Sequence, residues 1–150
     1  MKFILTKELG RLAKWLRIIG YDTVYYDGDD KAKLVILSLR DNRIILTRDS
    51  KMARFTGVKV VHFRDDEVEK QLEQAIKELN LEVSEEKTFT LCVDCNRPLC
   101  SVEKERIKNR VPPYVFKTQN EFKLCPACDK VFWKGTHWDL VKRFLKYVHS

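Results

Sequence analysis

Four cysteines stand in two pairs at a spacing that suits a tetrahedral metal ion: Cys92-Val93-Asp94-Cys95 and Cys125-Pro126-Ala127-Cys128. A C-x-x-C turn lets two thiolates grip one ion, and two such turns complete a four-cysteine zinc site. The 29 residues between the pairs suit a zinc ribbon, in which two hairpin turns meet at the metal. Four sulfur ligands leave no open position for a substrate, so this zinc is architectural and the chemistry has to lie elsewhere. Cys100 is the odd cysteine and reads as a small buried hydrophobe rather than a fifth ligand.

A second set of residues could do chemistry. Asp27, Asp29 and Asp30 follow one strand-like run, Asp49 follows another, and Asp65 and Asp66 follow a third. In a parallel α/β sheet, ligands sit beyond the carboxyl ends of the strands. Carboxylates gathered there repel unless a cation neutralises them. Hard divalent ions such as magnesium or manganese prefer oxygen ligands, and they can activate water for phosphodiester hydrolysis. The alternative is that each acid caps a helix.

Lys7, Arg11, Lys14 and Arg17 recur at helical spacing and make a basic stripe, read either as a solvated face or as phosphate contacts. Arg48, beside Asp49, suits a phosphate contact or a surface ion pair equally. Tyr114, Phe132, Trp133 and Trp138 could stack unpaired bases or build the core of a small ribbon. His137 lies nine residues after Cys128, where four cysteines already fill the site, so it reads as structural or RNA-contacting. His62 reads as packed within a strand, and His149 is terminal.

The elements that must position these residues alternate. Lys2–Leu5 reads as a buried strand and about Glu8–Ile19 as a helix, with Leu9, Leu12, Leu16 and Ile19 on its buried face and Gly20 past its end. Thr23–Tyr26, Arg43–Thr47 and Val58–Phe63 are β-branched or apolar runs and read as strands. A helix carrying Leu34, Ile36, Leu37 and Leu39 lies between the first two of these runs. Asp49-Ser50 caps a short helix around Met52, and Asp65-Asp66 opens a helix carrying Val68, Leu72, Ala75, Ile76 and Leu79. Strands alternating with helices predict an α/β fold with a parallel sheet covered on both faces. Residues 81–90 are polar and read as a linker between a domain at 1–80 and a ribbon domain at 91–150.

Charge divides the same way. Residues 1–90 hold 17 basic against 16 acidic side chains, whereas residues 91–150 hold 12 against 6. A basic back half suggests a polyanionic partner. No apolar run reaches membrane-spanning length and no signal peptide opens the chain, so the protein reads as cytoplasmic, with reduced cysteines.

Several stretches then carry a resemblance. Leu9–Arg17 with Gly20-Tyr21-Asp22, Ile44–Asp49, Arg110–Val115, and Cys125–Cys128 with Trp133–Trp138 together resemble the Mut-seven C-terminal RNase-domain family. The resemblance implies a PIN-like nuclease domain fused to a zinc ribbon, and a metal-dependent ribonuclease acting on RNA. It carries Asp49 over as a catalytic acid, with Asp30 and Asp66 as its partners. Lys7, Arg11, Lys14, Arg17, Arg48 and Arg110 then become candidate RNA contacts. One departure matters: relatives carry an aspartate at the end of the first strand, and this chain has Thr6. Threonine is a weaker ligand for a hard dication. Glu8 is close in sequence, but two residues into a helix its side chain can point elsewhere. The resemblance therefore also allows a catalytically weakened RNA-binding or adaptor protein.

Overall fold

The computed structural model describes the backbone of residues 1–54 and 57–149; side chains at 53, 54, 136, 137, 144, 145 and 147–149 are outside that description, and the readings of His137 and His149 lie outside it too. The first half alternates strand and helix: β1 (Phe3–Thr6), α1 (Gly10–Ile18), β2 (Thr23–Tyr26), α2 (Lys31–Asp41), β3 (Ile44–Thr47), β4 (Val60–His62) and α3 (Val68–Glu78). The second half contains β5 (Cys100–Val102), α4 (Pro113–Thr118), β6 (Phe122–Cys125), β7 (Lys130–Phe132) and α5 (Gly135–His149). The four N-terminal strands form one parallel sheet in the order β2-β1-β3-β4, and β5-β6-β7 form an antiparallel sheet. No helix among the described residues is long and apolar enough to cross a membrane.

The period of two along each strand sorts side chains between two cores. Phe3 and Leu5 of β1 and Leu46 of β3 pack with α1 and α3, against Leu12, Leu16, Leu72 and Ile76. Ile4 and Ile45 face the other way and pack with Leu34 of α2 and Met52. Thr6 and Thr47 therefore belong to the α2 face, at the carboxyl ends of the two central strands. Four apolar positions on α2 were legible, but they span two sides of the helix. Leu34 and Leu37 pack inward, while Ile36 and Leu39 are exposed.

Two sequence expectations shift. Lys7–Leu9 form a 3-10 turn before α1 rather than the start of the α-helix, which re-aims Glu8. Cys100 is exposed on edge strand β5 and is not buried. The polar segment 81–90 buries Leu81, Thr88 and Phe89. Tyr21 Oη donates to the Glu82 carbonyl at 2.7 Å, and the Phe89 N–H donates to the Ile18 carbonyl at 3.0 Å. Gly20 makes this passage possible. Its φ is +96°, and a Cβ there would lie 2.3 Å from the Lys87 carbonyl oxygen.

The first cysteine turn is fastened to the parallel sheet by side chains. Arg17, only 7% exposed, donates through Nε to the Thr23 carbonyl at 2.9 Å and through Nη1 to the Val93 carbonyl at 2.7 Å. The Thr23 N–H, on the free side of edge strand β2, donates to Asn96 Oδ1 at 2.9 Å. Asn96 Nδ2 donates to Asp22 Oδ1 at 2.6 Å, and Arg43 Nη1 reaches the same oxygen at 2.8 Å. Burial acts to raise the Asp22 pKa, but the hydrogen bonds from Arg43 and Asn96 outweigh it and leave it below the ordinary value. Asn96 also adopts φ +71°, where its short polar side chain is tolerated.

Asn96→Ala should therefore lose stability twice: by an unpaired buried N–H, about 1–3 kcal/mol, and by left-handed strain, about 1–2 kcal/mol. Asn96→Gly should lose only the first. Urea denaturation of the three proteins separates the terms, and equal stability of all three would show that Asn96 fastens nothing.

Candidate functional site

Two sites emerge from these elements. The first is the cysteine cluster. Cys92 and Cys95 lie on the turn fastened by Arg17 and Asn96, while Cys125 ends β6 and Cys128 lies in the turn to β7. Their four sulfurs all lie within 4.8 Å of one another, with Cys95–Cys125 at 3.4 Å and Cys92–Cys128 at 3.9 Å. Tetrahedral zinc with bonds near 2.3 Å needs sulfurs about 3.8 Å apart, so the cluster can hold one zinc ion. The Cys128 N–H points at Cys125 Sγ, 3.3 Å away. Burial opposes ionisation of Cys125, but that N–H and the Cys95 sulfur lower it to about 7. Cys128 is pushed up to about 12, first by its hydrogen bond with Cys95 and then by burial. Four crowded thiols cannot all ionise alone, and a divalent ion relieves that conflict. Cys100 stands outside the cluster.

The second site is a pocket of about 130 Å3 at the carboxyl ends of β1, β2 and β3. Glu8, Asp29, Asp30 and Asp49 line it, with Lys7, Lys31, Thr6 and Thr47. Glu8 is its best-anchored acid. Glu8 Oε1 accepts from the Thr6 hydroxyl, from the Thr47 hydroxyl at 3.2 Å and from the Arg48 N–H at 3.0 Å. Burial raises the Glu8 pKa, yet those donors overcome it and the net shift is downward. The signal for Glu8 was present in Thr6-Lys7-Glu8, but it needed the 3-10 turn to be read.

Asp49 accepts from the Lys51 N–H at 2.9 Å and pairs with Lys31 Nζ at 2.8 Å. Lys31 and then the Lys51 N–H hold its pKa below the ordinary value. Asp30 caps α2 by accepting from the Lys33 N–H at 3.1 Å, and Asp29 pairs with Lys7. Asp65 and Asp66 follow the outer strand β4 and do not line this pocket; both are exposed at the start of α3. Among the described residues, the cysteines are the only group of three or more ligand-type side chains whose ligand atoms all lie within 4.8 Å.

The expected basic stripe divides. Arg11 and Lys14 are exposed and line a groove with Asp94, Cys95 and Asn96. Arg17 is inside the fold. Lys7 is committed to Asp29, and Arg110 to Asp129 at 3.2 Å. Arg48 Nη2 donates to the Arg64 carbonyl at 3.3 Å, and its own carbonyl lies 3.0 Å from His62 Nε2. Trp133 packs edge-on against Phe122 in the ribbon core, Trp138 sits beneath the Lys134 and Lys142 ammoniums, and Phe132 is half-buried. Tyr114 is exposed.

The sequence model of the Mut7-C RNAse domain matches residues 1–145. The chain belongs to the Mut7-C RNase domain family. Membership points to ribonuclease-like function over essentially the whole chain, ribbon included. No curated protein and no solved structure matches it significantly.

Two measurements check the sites. Elemental analysis should give one zinc per chain, and Cys125→Ser should release it and unfold the C-terminal half. Glu8, with its lowered pKa, stabilises the fold above the ordinary carboxylate range and loses that contribution as pH falls through its folded pKa. Glu8→Gln should flatten that acid limb in urea titrations between about pH 3 and 7. An unchanged limb would show that Glu8 is not held as the carboxylate.

Proposed function

We propose that this Mut7-C family member binds RNA and hydrolyses its phosphodiester bonds, with magnesium or manganese at the pocket of Glu8, Asp30 and Asp49. The observation that carries the proposal is an oxygen-rich pocket at the carboxyl ends of the central strands, in a chain matched end to end by an RNase-domain family. The donor set fits a hard dication. It offers carboxylates and threonine hydroxyls, and its four acids and two lysines leave a formal charge that one divalent ion balances. Such an ion, when bound, lowers the pKa of water and stabilises the leaving oxygen. The chain's own residues do the rest. Thr6, Thr47 and the Arg48 N–H orient Glu8, so that it supplies the carboxylate that Thr6 does not. The Lys51 N–H fixes Asp49, and Lys31, displaced from Asp49, would be free to meet a phosphate oxygen. Asp66 is not part of this set. The ribbon uses its zinc as architecture.

A specific observation favours a second reading, an RNA-binding protein without cleavage. Two of the four acids, Asp29 and Asp49, already pair with lysines. Cleavage of a labelled single-stranded RNA in manganese or magnesium decides between them. On the first reading the wild-type protein cleaves, Thr6→Asp adds little, and Asp49→Asn and Glu8→Gln each lose about 100-fold or more. Binding without cleavage by the wild type, with activity appearing only in Thr6→Asp, would establish the second. Cleavage that survives Asp49→Asn would overturn the pocket as the active site.

A further inference from the structure

One groove has no part in the cleavage chemistry. It encloses about 630 Å3 between α1 and the first cysteine turn, and Arg11, Lys14, Tyr25 and Asn96 line it. We infer that this groove is the track of a single unpaired RNA strand, with Tyr25 as the platform on which one base stacks beside the acidic pocket. The inference rests on the ribonuclease reading above and specifies the form of its substrate.

Charge is the first argument. Lys7, Lys31, Lys130 and Arg110 are each paired with an aspartate. Arg11 and Lys14 are both exposed, and neither is in an ion pair among the described residues, although Lys14 is near enough to Asp94 to help lower its pKa. The acid in the groove, Asp94, is already paired with Lys130. The groove therefore presents two exposed cations outside any ion pair, and polyanion affinity comes from charges of this kind.

Tyr25 is the second argument. It lies on β2, one of the two edge strands of the parallel sheet, and remains 39% exposed. Its ring lies against Gly10, where a Cβ would come within 3.4 Å of Cε1, and its hydroxyl donates to the Lys7 carbonyl at 2.8 Å. An aromatic pinned at both body and tip loses little freedom when a base stacks on it. Position is the third. Tyr25 lines the groove while Lys7, to which it bonds, lines the acidic pocket. A strand crossing Tyr25 passes from the Arg11 and Lys14 side of the groove to the carboxylates. A duplex cannot use this platform, because paired bases are stacked within the A-form helix and present phosphates and 2′-hydroxyls instead.

The test is fluorescence anisotropy with the full-length protein and two probes, a labelled 12-nucleotide oligouridine and a 12-base-pair RNA duplex, at two salt concentrations. Tyr25→Ala should weaken oligouridine binding about 5- to 10-fold or more while leaving duplex binding unchanged. Tyr25→Phe, which keeps the ring, should bind within about twofold of wild type. Arg11→Ala with Lys14→Ala should lower the salt slope on oligouridine by about 1.4. Should Tyr25→Ala fail to fold, wild-type protein photocrosslinked to a 4-thiouridine oligomer gives the same answer, with Tyr25 or its groove neighbours as the expected adducts. Wild-type affinity in Tyr25→Ala alongside weakened binding in the Arg11/Lys14 variant would overturn the stacking track and leave RNA binding standing. Adducts confined to sites outside the groove would overturn it likewise. Absence of RNA binding by the wild type would remove the ribonuclease reading itself, and the track with it.

Discussion

The attachment of the first cysteine turn to the parallel sheet is the interaction on which the rest depends. Arg17 spans the junction, with one hydrogen bond to β2 and one to the turn. Asn96 reaches back from the turn by accepting from Thr23 and donating to Asp22. Burial lowers the Arg17 pKa, against the raising influence of Cys92, Cys95, Asp94 and Asp22 around it. A guanidinium is the one side chain that stays charged under such burial and still satisfies several acceptors in a fixed fork. The edge of the sheet is capped by the same contacts, since Asn96 takes the N–H that edge strand β2 would otherwise offer to a stranger. Metal binding at the cysteines thus bears on the sheet, because the turn that holds two ligands is also the turn that completes β2.

The acidic pocket follows from register and alternation. Phe3 pairs with Thr23 and Ile44, which brings the ends of β1, β2 and β3 level. Period two then sends Thr6 and Thr47 to the α2 side, beside the start of α2, where Asp30 caps the helix. The 3-10 turn after β1 brings Glu8 over the same gap, and the Thr6 and Thr47 hydroxyls with the Arg48 N–H fix it there. A carboxylate that the strand itself lacks is supplied two residues later by a tighter turn.

Much of this was legible in the sequence because it rests on local rules. The C-x-x-C pairs, the strand–helix alternation and Asp49 after β3 follow from spacing and from strand ends, and the structure places them accordingly. What was not legible rests on tertiary contact. Arg17 has the same helical spacing as Arg11 and Lys14, yet its position on α1 faces the cysteine turn, and only packing reveals that it is buried. Asp66 follows a strand as Asp49 does, but the pocket lies over the ends of β2, β1 and β3, and β4 stands on the far side of β3 from it. The segment 81–90 reads as a linker because Leu81, Val83 and Phe89 are its only apolar residues; yet Leu81 and Phe89 are buried in the core around β1 and β3, and Val83 packs against it. Glu8 escaped because a 3-10 turn and the first turn of an α-helix look alike in sequence.

The lysines in the pocket bear on whether it is competent. Lys31 and Lys7 pair with Asp49 and Asp29, and a carboxylate bound to a lysine is not free for a cation. These pairs are, however, solvent-exposed, and exposed ion pairs are weak, salt-screened and entropically costly to hold. Asp30 and Glu8 carry no such lysine; their partners are backbone N–H groups and hydroxyls, which orient an oxygen without neutralising it. The pocket thus combines two acids whose charge is intact with two whose partners are easily exchanged. A dication arriving at Asp49 would meet a flexible ammonium rather than a rigid guanidinium fork, and ammonium is the easier of the two to displace. Displacement would leave Lys31 at the mouth of the same pocket as a mobile positive charge, where a phosphate bound to the site would attract it. The ion pairs are therefore a weak argument for an inert pocket, and the choice of lysine over arginine at positions 7 and 31 is what makes exchange easy.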